Sequence, residues 1–193
     1  MAGDAARWDT IYSRADAAEA TEPAAVLREN AHLLPAQGRA LDLACGRGGN
    51  ALFLAARGLD TSAWDISAVV IGALAEHARR AGLPLEARVR DVVAEPPAPG
   101  SFDVIVVSRF LDRSIAPAIA AALRPGGLLF YQTFIAEAAS GAGPRNPAYR
   151  LGRNELLRLF PALHVLVYRE EGRTGDLSQG LRDEALLVAQ APA

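Results

Sequence analysis

A chain of 193 residues, 51% hydrophobic with 20 basic and 22 acidic side chains, is long enough to bury one substantial core and too short to argue for two full domains. A net charge of −2 and a pI near 5.9 leave no clustered basic excess, so a small-molecule partner is expected and a nucleic acid is not. The single cysteine, Cys45, can close no intramolecular disulfide, which fits a reducing compartment. The opening "MAGDAARWDTIYSRADAAEATEP" has no unbroken apolar stretch, so neither a signal peptide nor a membrane span is expected and a cytoplasmic location is.

In chain order, two helices are expected first, over Asp4 to Ala20 and over Ala24 to Leu34, the second introduced by Pro23 and ended by Pro35. From Ala40 onward short apolar runs alternate with helical patterns: "ALDLA", "NALFLAARG", "DTSAW", "SAVVIGALAEHARRAG", "LEARVRDV", "FDVIVVS", "IAPAIAAALRPGG", "LLFYQTF". This alternation implies right-handed crossovers and an α/β fold with a mostly parallel sheet covered on both faces. After Phe134 comes "IAEAASGAGPRNPAYRLGRN", rich in Gly, Ala, Arg, Asn and Pro, which reads as a loop or lid over a site, or else as a solvated connector. The tail predicts a short helix near Asn154 to Phe160, with Asn154 as cap, and two strands, "ALHVLVYRE" and "EALLVAQ", that could pair antiparallel at a sheet edge. The whole reads as one domain: a helical cap over 1–36, a cofactor-binding core over 37–134, the loop or lid over 135–153, and a helix and strand pair over 154–193.

The chemistry concentrates at "LDLACGRGGNA". A buried strand ends at Ala44, Gly46 and Gly48 free the backbone to approach a ligand, and a helix starts near Gly49 or Asn50. Gly46, Gly48 and Ala51 satisfy the G-x-G-x-x-G/A dinucleotide fingerprint. The next strand ends at Asp65, seventeen residues after Gly48, where a carboxylate can accept from both hydroxyls of a ribose. So far a nicotinamide dinucleotide fits as well as any other adenosine cofactor. Asp42 weighs against it: a carboxylate aimed at the loop repels a pyrophosphate and suits the amine and sulfonium of S-adenosylmethionine. Asp91 and Val92, after the third strand, can accept from an adenine amino group and offer a backbone N–H to the ring. "ALRPGGLLFYQTF" then puts a Pro-Gly-Gly turn between a helix and a long strand.

With "LDLACGRGGN", "AWDIS", "RDV", "FDVIVVS" and "LRPGGLLFY" in this order and spacing, the chain resembles the class I S-adenosylmethionine-dependent methyltransferases over nearly its whole length. Asn50, "AWD" and "RWDTIY" look most like the small bacterial tellurite-resistance and thiopurine methyltransferases. The resemblance implies a Rossmann-like seven-stranded sheet with an antiparallel last strand, and S-adenosylmethionine as cofactor. It further implies that the backbone at Ala44, Cys45 and Gly46, with Asn50 beside it, holds the methionyl end while Asp42 orients the ammonium. Asp65 would grip the ribose, Ile66 and Val92 would sandwich the adenine, Asp91 would read its amino group, and Ser108 would line the pocket wall. The first glycine of the family's loop pattern is Ala44 here, a methyl group small enough for the turn to tolerate.

Each role has a plainer reading. Asp65 and Asp91 can cap helical turns, Asp42 can be a strand acid satisfied by backbone, and Cys45 can be a packed side chain rather than a nucleophile. Trp8 and Tyr12, four residues apart on one helix face, can close over the cofactor through cation–π attraction or simply fasten the helix to the core. Arg109, Arg113, Arg145, Arg150 and Arg153 can form an anion-selecting mouth, or stand as ordinary solvated arginines. His32, His77 and His164 have no metal-ligand spacing, and no metal is implied.

The reaction so implied is in-line methyl transfer to a small molecule, a class that takes in soft or anionic nucleophiles such as a thiol or chalcogen oxyanion, with no catalytic acid or base named. A nitrogen or oxygen acceptor would bring in Tyr12, Tyr131 or Tyr149. "SRFL" stands where amino methyltransferases carry an "NPPY"-type motif, which argues against adenine-N6 and glutamine acceptors. A nicotinamide-dependent oxidoreductase and a non-catalytic S-adenosylmethionine-binding relative are the alternatives, and the oligomeric state stays open.

Overall fold

A computed structural model describes residues 2–14 and 22–193. Helix α1 (Ala2–Arg14) and α2 (Ala25–Glu29) precede strand β1 (Arg39–Leu43), α3 (Gly49–Ala55), β2 (Asp60–Asp65), α4 (Ala68–Ala81), β3 (Leu85–Val89) and β4 (Phe102–Ser108). There follow α5 (Ala116–Ala122), β5 (Leu123–Phe134), α6 (Glu155–Leu159), β6 (His164–Arg169) and β7 (Glu184–Gln190). The seven strands form one sheet in the order β3-β2-β1-β4-β5-β7-β6. The first five are mutually parallel, while β7 runs antiparallel to both β5 and β6. The strand order reverses between β1 and β4, and in open α/β sheets the crevice at the carboxyl ends beside such a reversal is where ligands bind.

Strand periodicity sorts the core into two layers. On β4, Val104 and Val106 pack with Val26, Leu27, Leu54 and Phe130 on the α2/α3 face. Ile105 and Val107 pack with Ile119, Leu129, Tyr131 and Leu156 on the α5/α6 face. Both faces of the central strands are buried, which is why they read as unbroken apolar runs. No helix among the described residues is long and apolar enough to cross a membrane.

Several elements differ from the sequence expectation. The first helix starts at Ala2 rather than Asp4, and its expected continuation to Ala20 lies largely outside the described residues. The second keeps only Ala25–Glu29 as α-helix, with a 3₁₀ turn over Ala31–Leu33. Asn30 is the reason: its Nδ2 donates back to the Val26 carbonyl (2.9 Å) and its backbone leaves the helical region at φ −114°, the local competition that makes Asn a helix breaker. Asn154 does not cap α6 with its side chain. It sits left-handed at φ 55°, and its backbone N–H goes to Glu170 (3.0 Å). The Pro-Gly-Gly segment lies inside β5 as an irregularity: β4 pairs Phe102 with Leu123 and then Val104 with Leu128, so Arg124 to Gly127 bulge out of the ladder. A Cβ on Gly127 would stand 2.9 Å from the Arg124 carbonyl oxygen.

The segment expected to be a loop or lid is tied shut at its base. Ile135 bridges Leu151 in parallel, and Ala136 N–H and Leu151 N–H donate across to Leu151 and Phe134 carbonyls (2.8 Å each). Ser140 donates through both its backbone N–H and its hydroxyl to Asp183 (2.7 Å each). Lacking a ladder of its own, the loop takes donors from arginine: Arg150 supplies the carbonyls of Pro144, Ile135 and Ala142.

Candidate functional site

The glycine turn connects β1 to α3 at the reversal of strand order. Gly46 (φ 51°) and Gly48 (φ 80°) occupy the left-handed region, and so does Ala44 at φ 55°. The turn does tolerate a methyl group at Ala44, but in a conformation that costs an L-residue roughly 1–2 kcal/mol. Ala44→Gly is therefore expected to raise stability by about 0.5–1 kcal/mol, the gain being trimmed by the extra freedom glycine gives the unfolded chain. A urea unfolding series would measure it, and an unchanged or lower midpoint would contradict it.

Two carboxylates face this turn. Asp65, at the end of β2, accepts from Gly46 N–H through Oδ2 (2.8 Å) and from Ser67 N–H through Oδ1 (2.9 Å). Burial raises its pKa against these hydrogen bonds. Asp42 on β1 is wholly buried and accepts from Ala51 N–H (3.0 Å) and Asn50 Nδ2 (3.3 Å). Burial pushes its carboxyl up to about 8, with the charge of Asp65 adding to the effect. Among the described residues neither acid is in a salt bridge. A buried acid pair in no salt bridge among the described residues is a site that a positively charged ligand relieves, and an ammonium- and sulfonium-bearing cofactor fits it.

Cys45 packs with Ala51, Ala63, Ile71 and Leu74, and burial pushes its thiol well up, so it is a small core side chain. After β3 there is no helix. Asp91 Oδ1 instead caps a turn, accepting from Val93 and Ala94 N–H (3.0 and 3.2 Å), while Val92 beside it is buried. The plainer capping reading of Asp91 is thus realised on one oxygen, leaving the other without a hydrogen bond among the described residues.

Helix α1 lies over the turn. Asp9 Oδ1 accepts from Ser67 Oγ (2.5 Å) and, more weakly, from Val69 N–H (3.4 Å) at the start of α4. The Tyr12 hydroxyl stands 3.0 Å from where a Gly46 Cβ would be, and Trp8 stacks on Tyr12 with centroids 5.6 Å apart. Burial and the nearby Asp65 raise the Tyr12 pKa. Asp9 carried no sequence signal beyond being an acid on a helix that could meet another helix start.

On the other side of the reversal, β4 ends at Ser108, whose Oγ accepts from Asn50 Nδ2 (3.0 Å). Asn50 Oδ1 accepts from Ala24 N–H (2.8 Å), and Gln132 Oε1 accepts from Val26 N–H (2.7 Å). Two side-chain amides thus cap α2, which has no cap of its own. Gln132 Nε2 donates to Glu184 Oε2, and Arg109 Nε donates to Glu184 Oε1 (2.9 Å). Sequence reasoning missed Gln132 and Glu184. The available signal was a polar residue inside "FYQTF" and an acid opening the apolar run "EALLVAQ", since a polar side chain in a buried strand requires a partner.

The five arginines separate, and Arg145 is exposed in the loop. Arg113 gives Nε, Nη1 and Nη2 to Glu155 and to the carbonyls of Ala148 and Arg150. Arg150 is spent on loop carbonyls as described, and Arg153 pairs with Glu137 at the surface (2.7 Å). Arg109 keeps two terminal nitrogens without a protein partner among the described residues. Of the tyrosines, Tyr131 is buried and donates to the Phe110 carbonyl (2.9 Å), and Tyr149 is exposed.

A doubly wound sheet with a glycine turn at its reversal and an acid closing the neighbouring strand defines a class of folds that bind adenosine cofactors. Residues 40–127 match a family described as a methyltransferase domain. The chain is 33% identical over 171 residues to the ubiquinone biosynthesis O-methyltransferase of Methylococcus capsulatus, covering 82% of this chain and 67% of that protein. A second such enzyme, from Xylella fastidiosa, is 34% identical over 103 residues, 49% of this chain and 41% of that protein. The solved structure of TehB from Haemophilus influenzae superposes with a TM-score of 0.71 at 21% identity, covering 95% of this chain and 67% of the other. The chain belongs to the class I S-adenosylmethionine-dependent methyltransferases. Its cofactor is S-adenosylmethionine, and the nicotinamide alternative falls away.

Proposed function

We propose that the protein transfers the methyl group of S-adenosylmethionine to an oxygen of a small molecule. The observation that carries the residue assignment is the buried pair Asp42 and Asp65 on either side of the glycine turn, both accepting backbone N–H groups. Asp65 would hold the ribose hydroxyls: a carboxylate has about four lone-pair sites, and two backbone N–H groups leave room for two more donors. Asp42 would face the ammonium, with Asn50 fixing its orientation. Ile66 and Val92 would flank the adenine, with the second oxygen of Asp91 toward its amino group. Tyr12 and Trp8 would exclude water above the methionyl end. The bound cofactor supplies an electrophilic methyl and a neutral thioether leaving group; the chain supplies alignment, which can be worth about 7–11 kcal/mol.

Oxygen is favoured over the soft acceptors expected from sequence because the curated relatives are named O-methyltransferases, whereas the likeness to TehB, at 21% identity, speaks to fold alone. None of the three tyrosines suits the role of base. Tyr12 and Tyr131 have raised pKa values, in both through burial first, and Tyr149 lies in the loop, outside these networks. The acceptor's own acidity has to provide the nucleophilic oxygen. Labelled methyl transfer to a panel of phenols and hydroxy acids, thiols and tellurite tests this: oxygen-methylated products are expected, and transfer confined to thiols or tellurite would overturn it.

A further inference from the structure

Arg109 is built differently from Arg113, Arg150 and Arg153. It follows the last residue of β4 in a left-handed backbone conformation, φ 54°, a geometry that costs a side-chain-bearing residue of order 1 kcal/mol or more and persists only where the surroundings enforce it. Here they do: its backbone N–H donates to the Gln132 carbonyl (2.8 Å), and its Nε is anchored on Glu184, which is only 5% exposed and is held in turn by Gln132. Yet the Arg109 side chain is 70% exposed, its guanidinium carbon 5.8 Å from the centre of the Phe134 ring. One edge of the guanidinium is fixed to a buried acid, and the two terminal nitrogens are presented outward. The residue sits next to Ser108, which shares Asn50 with Asp42, on the β4/β5 side of the crevice. The cofactor contacts assigned above come mainly from the β1, β2 and β3 side.

We propose that Arg109 determines acceptor specificity by holding a carboxylate of the methyl acceptor, so that the substrate is a hydroxy acid methylated at an oxygen other than the one Arg109 holds. This rests on the methyltransferase reading above. A guanidinium pre-oriented through Nε can offer its two Nη groups as a parallel fork to a carboxylate. Glu184 neutralises the buried edge without occupying that fork. A merely structural Arg109, present to pair Glu184, would not discriminate between acceptors.

The experiment compares hydroxybenzoate isomers with their methyl esters as acceptors, the ester replacing the negative charge with a neutral group one methyl larger. For the wild-type protein the acids are expected to be the better substrates. Arg109→Gln should raise KM for the acids by about 10- to 100-fold, the worth of roughly one charge-assisted hydrogen bond once the pair is discounted for solvent screening at so exposed a guanidinium, with kcat changed little. KM for the esters should stay in place. Because that variant leaves Glu184 buried without its cation, the double substitution Arg109→Gln with Glu184→Gln is run beside it; it removes both charges, should fold, and should show the same selective loss. Equal loss on acids and esters, no loss on the acids, a wild-type preference for esters, or a methyl ester as the product from the acid would each overturn the proposal while leaving oxygen methylation intact. Failure of both acceptor series while S-adenosylhomocysteine still binds would also overturn it. Failure to bind S-adenosylhomocysteine would instead strike the reading of the cofactor site.

Discussion

Asp65→Ala is expected to weaken binding of S-adenosylhomocysteine by about 10²- to 10⁴-fold, because two hydrogen bonds to a charged acceptor are each worth roughly 1.5–3 kcal/mol. The structure adds a second expectation. The same carboxylate satisfies Gly46 N–H and Ser67 N–H, so the alanine variant also leaves two backbone donors unpaired where Asp65 stood, at about 1–3 kcal/mol each if both remain shielded from water. A lower unfolding midpoint in urea should accompany the lost affinity. Asp65→Asn, which keeps one carbonyl acceptor, should recover part of the stability and little of the affinity. Calorimetric titration of each variant separates the two effects, and wild-type affinity in the alanine variant would show that the ribose lies elsewhere.

The second large effect concerns pH. Asp42 titrates near 8 in the folded chain against about 3.8 as its ordinary value. Between those values the folded state keeps a proton that the unfolded state has released. The contribution of Asp42 to stability therefore falls as pH rises across this window, by up to about 1.4 kcal/mol per unit, and levels off above it. Cofactor binding runs the other way. An ammonium beside Asp42 favours its ionised form, so affinity should rise with pH, by up to about tenfold per unit, until the pH passes about 8. Binding at pH 7 should release a proton, visible as a dependence of the titration heat on the buffer's ionisation enthalpy. Asp42→Asn should bind more weakly at pH 8, lose the pH dependence of affinity, and lose the decline in stability between pH 5 and 8. An Asp42→Asn protein with an unaltered pH profile would remove Asp42 from the ammonium site.

Much of the glycine-turn geometry, where the cofactor is proposed to bind, was legible because its signals are local. The turn at Gly46 and Gly48 needs left-handed backbone, Asp65 ends a buried strand, and Asn50 follows within one helical turn. The β4/β5 side, proposed above to face the acceptor, was less legible because its contacts are made across the sheet. Gln132 and Glu184 sit in different strands and meet only through the β5/β7 register, in which Gln132 faces Leu186 and Phe134 faces Glu184. The arginines show the same limit. From sequence, Arg109, Arg113, Arg145, Arg150 and Arg153 can form an anion-selecting mouth, whereas Arg150 serves carbonyls that an irregular loop cannot satisfy by itself and Arg113 divides between Glu155 and two such carbonyls. Only partner geometry distinguishes an arginine that supports backbone from one presented to solvent. Asn154 shows it on a smaller scale: its residue type fits a cap, but Glu170 captures its backbone N–H and the side chain makes no cap.

The reversed direction of β7 has a consequence for how the crevice is assembled in time. In a wholly parallel sheet every strand reaches the ligand end at its exit; β7 arrives there at its entrance, and delivers Glu184 only after the other six strands have been made. The helix start at Val26 is fastened by Gln132 across 106 positions, and Gln132 by Glu184 across a further 52. A nascent chain can therefore build the glycine-turn side early from neighbouring segments, while the far wall waits for β7 to close these long-range contacts.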